Sequence, residues 1–161
     1  MKDAGFHIIN DKYNSIELDE QIPKDLKVDF VITGIDQHFT YGKLRLATDL
    51  ILKGAKFYAT NLDATIPIGD SLWPGAGSIN ASIAIATSKK PAFVFGKPSS
   101  VGFEIIMEKE GATATNTVLI GDRLNTDILG ANNAKIFSIM VGTGVSTLDE
   151  VLDPSKKPDE K

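Results

Sequence analysis

Short apolar runs alternate along this chain with longer stretches in which apolar residues recur every three or four positions. A run of four to six apolar residues suits a buried strand, whereas the second pattern lays one apolar stripe along a helix. Residues 28–33 are therefore expected to form a strand. Residues 41–52 are expected to form a helix, with Leu44, Leu46, Ala47, Leu50 and Ile51 on its stripe and Gly54 ending it. A strand at 57–60 leads into a loop at 61–74 that carries two prolines and two aspartates. Gly75-Ala76-Gly77 then opens a helix over 78–87, with Ser78 as its N-cap. Strands at 93–95, 118–120 and 137–141 alternate with helices near 99–110 and 124–134, and these strands read as one parallel, buried set. The alternation predicts an α/β fold class. The tail after residue 153 is rich in Pro, Lys and Glu, which predicts a solvated end.

Composition narrows the function classes. With 161 residues, 42% hydrophobic and 24% charged, the chain reads as a globular protein of one or two small domains. A net charge of -4 and no basic stripe predict no nucleic-acid partner, because phosphate-backbone binding needs clustered Lys and Arg. The first residues lack the apolar core of an export signal, and every apolar run falls well short of the roughly 20 residues that span a bilayer. No membrane partner and a cytoplasmic location are expected. The absence of Cys excludes disulfides and thiolate zinc sites. Two isolated histidines, His7 and His38, read as structural or surface residues.

The sharpest chemical signal is Gly121-Asp122-Arg123-Leu124-Asn125-Thr126-Asp127, where an apolar strand gives way to a helix. In a parallel sheet that is the carboxyl edge, where ligands bind. Two carboxylates there suit a hard cation such as Mg²⁺, which takes one or two of them and completes its shell with water and phosphate. The same aspartates equally suit a helix N-terminus through capping and the dipole. A second signal, Gly96-Lys97-Pro98-Ser99, puts one ammonium between a strand and a helix, as a phosphate anchor or as a surface lysine at a turn capped by Ser99. It does not complete a P-loop, whose first glycine is missing upstream. Gly75-Ala76-Gly77 does not complete a dinucleotide fingerprint either, because Asn80 stands where the third glycine belongs.

Taken in order with Gly34-Ile35-Asp36, Tyr41-Gly42-Lys43-Leu44, residues 54–63, Pro74-Gly75-Ala76-Gly77-Ser78 and Thr143-Gly144-Val145-Ser146, these segments resemble the haloacid dehalogenase superfamily. The resemblance is to the subgroup of p-nitrophenyl phosphatase, phosphoglycolate phosphatase and pyridoxal phosphate phosphatase. It implies an N-terminal core remnant over 1–21, an α/β cap domain over 22–90 and the C-terminal part of a Rossmann-like core with an incomplete parallel sheet over 91–153, followed by the tail at 154–161. It also implies a Mg²⁺-dependent phosphatase that acts on a small phosphorylated metabolite through an aspartyl phosphate. In that scheme Lys97 is catalytic, Asp122 and Asp127 serve the metal, with Asp127 holding its water shell or Lys97, and Asn61, Asp63, Thr65 and Ile66 face the leaving group. That last loop reads as well as a surface turn. A homodimer through the cap is a further implied partner.

The resemblance implies a nucleophile and a general acid in an Asp-x-Asp pair, and here the sequence departs: no aspartate is followed by another two residues later, so both are expected to be missing. The chain is expected to start one core motif too late for them and to stop early. It is thus expected to be inactive alone and to bind Mg²⁺ weakly. The strand ending at Ile120 is expected to have an open edge. Two other readings stand beside this one: a non-catalytic dimerisation or ligand-binding module, and a half-enzyme completed by a separate chain.

Overall fold

The structure, a computed structural model, describes residues 2–9 and 22–152. Residues 10–21 of the expected core remnant and the tail from 153 onward lie outside the described residues. The chain divides into two compact units, Met1–Phe93 and Val94–Lys161. Among the described residues no helix is long and apolar enough to cross a membrane.

The first unit contains β1 (Phe30–Thr33), α1 (Tyr41–Leu52), β2 (Lys56–Ala59), β3 (Thr65–Ile68), β4 (Ser71–Pro74), α2 (Ala76–Thr87) and the start of β5 (Phe93–Val94). β1 and β2 pair in parallel, with Val31 opposite Phe57 and Ile32 opposite Tyr58. Parallel neighbours need a crossover, which α1 supplies. The α1 stripe is buried as the periodicity requires: Leu46, Leu50 and Ile51 are buried, and Ile51 meets Phe57 and Ile83 in a core flanked by Leu44 and Ala47. Burying each of Ile51 and Ile83 contributes about 1.5–3 kcal/mol. Thr40 caps α1, its hydroxyl accepting the Lys43 N–H at 3.2 Å.

Two expectations for this unit are corrected. The span 61–74 is not wholly loop but contains the antiparallel hairpin β3–β4, with Ile66 opposite Trp73 and Pro67 opposite Leu72. The prolines disguise it, yet a two-stranded ribbon has only edge strands, where a missing N–H is tolerated. Gly69, at φ 57, makes the tight turn between the strands. The second correction concerns α2, which begins at Ala76 with Gly75 as N-cap, so that Ser78 lies inside the helix and its hydroxyl donates to the Ala64 carbonyl at 2.9 Å. The helix start is pinned to the preceding loop: Gly75 N–H donates to Ala64 O and Gly77 N–H to Asp63 O, each at 2.8 Å. A Cβ at Gly75 would overlap the Asp63 carbonyl and one at Gly77 the Leu62 carbonyl, so this approach requires glycine.

The second unit contains α3 (Val101–Glu110), β6 (Val118–Gly121), α4 (Leu129–Ala134), β7 (Phe137–Met140) and α5 (Leu148–Leu152). Ala131, Ala134 and Ile136 form its core, with Phe103, Met107, Ala114 and Leu119 packed around them. The helix expected over 124–134 is two elements, a π-helical turn at Leu124–Ile128 and then α4. The expected set of three buried parallel strands is also corrected. β6 and β7 pair with each other in parallel, while β5 is placed beside β2 in the first sheet. One face of the β6–β7 pair exposes Val118, Ile120, Phe137 and Ile139, with Ile120 at 65% and Phe137 at 70% exposure. Among the described residues, no strand pairs with the other edge of β6.

Candidate functional site

The second unit gathers Lys97, Asp122 and Asp127 around loops that leave strand ends. Asp122 follows β6, and the chain turns so sharply there that Asp127 folds back over Gly121, where any Cβ would overlap the Asp127 side chain. Asp122 is clipped by the turn at 143–146. Its Oδ2 accepts the Val145 N–H at 2.8 Å, and its carbonyl accepts the Ser146 N–H at 3.0 Å. Ser146, itself 7% exposed, closes the clip when its Oγ accepts the Leu124 N–H at 3.2 Å. A buried hydroxyl keeps its place by such bonds.

Asp127 has different partners from Asp122. Its Oδ1 is ion-paired with the Lys97 ammonium, and its Oδ2 accepts the Arg123 N–H at 3.1 Å. The Asp127 side chain is only 8% exposed, whereas that of Lys97 is 50% exposed. A carboxylate buried to that degree must be paired, and here the lysine does it. Both Asp127 oxygens are thus engaged by the protein, while Asp122 Oδ1 accepts no hydrogen bond among the described residues. The donor set fits Mg²⁺ through Asp122, with water and phosphate oxygens supplying the rest of a hard octahedral shell. Among the described residues no three His, Cys, Asp or Glu side chains cluster as a protein-only metal cage.

The lysine loop is held at its base. Ser99 N–H donates to Gly96 O at 3.1 Å, and Ser99 Oγ accepts the Val101 N–H at 3.4 Å. The residue at the cap position of α3 is Ser100, whose side chain makes no capping bond.

In the first unit, Asn61 and Asp63 are joined, Asn61 Nδ2 donating to Asp63 Oδ2 at 2.8 Å. Thr65 is exposed at the start of β3, and Ile66 is half-buried opposite Trp73. The sequence reading missed the residue that organises this loop, Asn80. It is 3% exposed, and its Nδ2 donates to Asn61 O at 3.0 Å and to Ala76 O at 2.9 Å. Its only signal is a polar residue on the row of α2 that also carries Ile83 and Thr87, both buried. Asp36 was likewise unassigned. The Lys43 ammonium bonded to it at 2.7 Å, helped by the His38 N–H at 2.8 Å, holds its carboxyl below the usual carboxylate range.

Several known proteins are similar to this chain. Residues 94–160 match the HAD-hydrolase-like family model. The chain is 34% identical over 159 residues to the 5'-nucleotidase YutF of Bacillus subtilis, covering 98% of this chain and 62% of that protein. It is 36% identical over 137 residues to the acid sugar phosphatase of Staphylococcus aureus, covering 85% of this chain and 52% of that one. In structure it is similar to the 4-nitrophenylphosphatase of Thermotoga maritima, with a TM-score of 0.76 and 39% identity over 81% of this chain and 50% of that chain. The chain therefore spans between half and two thirds of the length of these relatives.

Proposed function

We propose, because this chain belongs to the haloacid dehalogenase superfamily of hydrolases, that its second unit is the phosphate- and metal-facing side of a phosphomonoesterase centre. The observation that carries this reading is the Lys97–Asp127 pair beside the clipped Asp122. Asp127 fixes the amine from one side, and the half-exposed remainder of Lys97 is free to meet an anion. A fixed ammonium aimed at phosphoryl oxygens stabilises charge without reorganising when that charge develops. Asp122 would hold Mg²⁺, which when bound shields the phosphoryl group. Asn61, Asp63, Thr65 and Ile66 are proposed to read the leaving group of a small phosphorylated metabolite. The relatives named for nucleotides and for sugar phosphates support no narrower substrate class.

These 161 residues by themselves are proposed not to turn over phosphomonoesters. An aspartyl phosphate needs an aspartate nucleophile; family resemblance implies one with a second aspartate two residues on as general acid, and no aspartates in the sequence have that spacing. Asp127 is committed to Lys97 and Arg123, and Asp122 to Val145 and the proposed metal. The test is p-nitrophenyl phosphate hydrolysis by the purified chain with Mg²⁺. The expected rate equals that of the Asp122→Ala variant; a wild-type rate that vanishes in that variant would overturn the claim. Adding a separate segment that bears the paired aspartates then tests whether the chain is a half-enzyme.

A second reading, homodimerisation through the first unit, is favoured by the hairpin. Ile68, Leu72 and Trp73 are 46%, 72% and 48% exposed, which is unusual for side chains of this size clustered on one ribbon. Sedimentation of the wild-type chain against Trp73→Ser tests it.

A further inference from the structure

Three contacts reach the Lys97–Pro98 segment from positions spaced three residues apart. Asp127 Oδ1 holds the Lys97 ammonium. Gly130 is buried so closely against the same segment that an added Cβ would lie 3.5 Å from Pro98 Cα, 3.7 Å from Lys97 Cβ and 3.1 Å from the Phe103 ring. Asn133 Nδ2 donates to the Pro98 carbonyl at 2.7 Å, 35 residues away in sequence. Residues three apart on a helix are neighbours along an inclined row, so Asp127, Gly130 and Asn133 form one edge facing the lysine loop.

The ends of that row act on different parts of the same residue pair. Asp127 grips the tip of a side chain with a flexible four-carbon stem. Asn133 grips the main chain from which that stem hangs, and Gly130 leaves room for the two to approach. An ammonium tethered only at its tip can still wander with its root; tethered at both, it has one position.

We infer that Asn133 is a positioning residue that sets the location of the Lys97 amine through the Pro98 carbonyl. The inference rests on the reading of Lys97 as a phosphate-facing amine. Asn133 itself touches no reacting group; the lysine does.

The test uses the full chain and two separate measurements. Acylation of each lysine by a dilute amine reagent, followed by mass spectrometry, reads the position of Lys97 without any need for activity. Asn133→Asp keeps the shape but sets an acceptor against the Pro98 carbonyl, so Lys97 should acylate about fivefold faster, the population change one net hydrogen bond carries. Lys109, exposed on α3 of the same unit, should be unchanged. Asn133→Gln, which keeps an amide donor, should restore most of the protection. Unchanged Lys97 reactivity in folded Asn133→Asp would overturn the inference, and so would an equal rise at Lys109, which marks general loosening. If Asn133→Asp does not fold, Asn133→Ala is read by the same criteria. Titration of the wild-type chain with orthophosphate stands apart: no binding would remove the phosphate-facing reading of Lys97, while the acylation result still decides what Asn133 does.

Discussion

Gly144 sits so close to Asp122 that a Cβ at position 144 would overlap the Asp122 carboxylate. The glycine is needed for space, since its neighbour Val145 must bring its N–H to within 2.8 Å of Asp122 Oδ2. Gly144→Ala should therefore turn the Asp122 side chain away from the 143–146 turn, losing that hydrogen bond at a cost of about 0.5–1.5 kcal/mol. Gly142→Ala is the control, because nothing lies within 4 Å of the Cβ it would add. Urea unfolding of both variants checks the difference. Titration with Mn²⁺, read by its paramagnetic resonance, should show weaker binding in Gly144→Ala alone.

The ion pair of Lys97 with Asp127 is asymmetric, with a largely buried carboxylate and a half-exposed amine. Lys97→Met leaves the Asp127 carboxylate, among the described residues, with the Arg123 N–H as its one remaining hydrogen bond and should destabilise the chain by about 1–3 kcal/mol. Asp127→Asn leaves the lysine free to turn into water and should cost less than Lys97→Met. Combining the two should give less than the sum of the single losses, because the second change removes a group the first had already stranded. Additive losses in a double-mutant cycle would show that the pair is not coupled.

Asp36 supplies a pH dependence of known sign. Its folded-state carboxyl is held low, chiefly by the hydrogen bond from Lys43, so it binds its proton less readily folded than unfolded. The stabilisation is thus fully present above the unfolded carboxylate range and is lost as pH falls through the lowered folded value. The pair is partly exposed, with side-chain exposures of 24% for Lys43 and 36% for Asp36. Its contribution should stay under about 1 kcal/mol and shrink with salt. Asp36→Asn should flatten this part of the acid limb in unfolding curves taken from neutral pH downward, and Lys43→Met should do nearly the same.

The elements that periodicity can see were legible, and the site was only partly so. α1 could be placed because its apolar residues fall at helical spacing and one face of it meets β1 and β2. The β3–β4 hairpin was hidden because Pro67 and Pro74 read as breakers, although Gly69-Asp70 is a turn signal. The assignment of β5 to the first sheet depends on pairing between distant segments, which no local pattern encodes. In the site, Asp122 and Lys97 stood out by position after apolar runs. The different settings of Asp122 and Asp127 did not, because they depend on which carboxylate oxygens meet Lys97 and the Arg123 N–H. Asn80 and Asn133 were invisible for the same reason: an amide on a helix carries no signal until its partner carbonyl, here on Asn61 or Pro98, is known.

The face of the β6–β7 pair offers the last test. Val118 lies opposite Phe137 and Ile120 opposite Ile139, so the period-two alternation puts all of them on one side, where each is at least 45% exposed. A contiguous apolar patch next to a strand edge that is unpaired among the described residues favours association. The chain should show concentration-dependent association in sedimentation velocity. Ile120→Lys should suppress it, since a charge on that face must be desolvated on contact. The double change Ile120→Lys and Phe137→Thr should suppress it further, with little cost to folding because neither side chain is buried. The hairpin residue Trp73 separates this contact from the dimer proposed through the first unit. If Trp73→Ser abolishes association and Ile120→Lys leaves it intact, association runs through the hairpin and the β6–β7 face is not the surface that drives it. The reverse result would remove the support for the hairpin dimer.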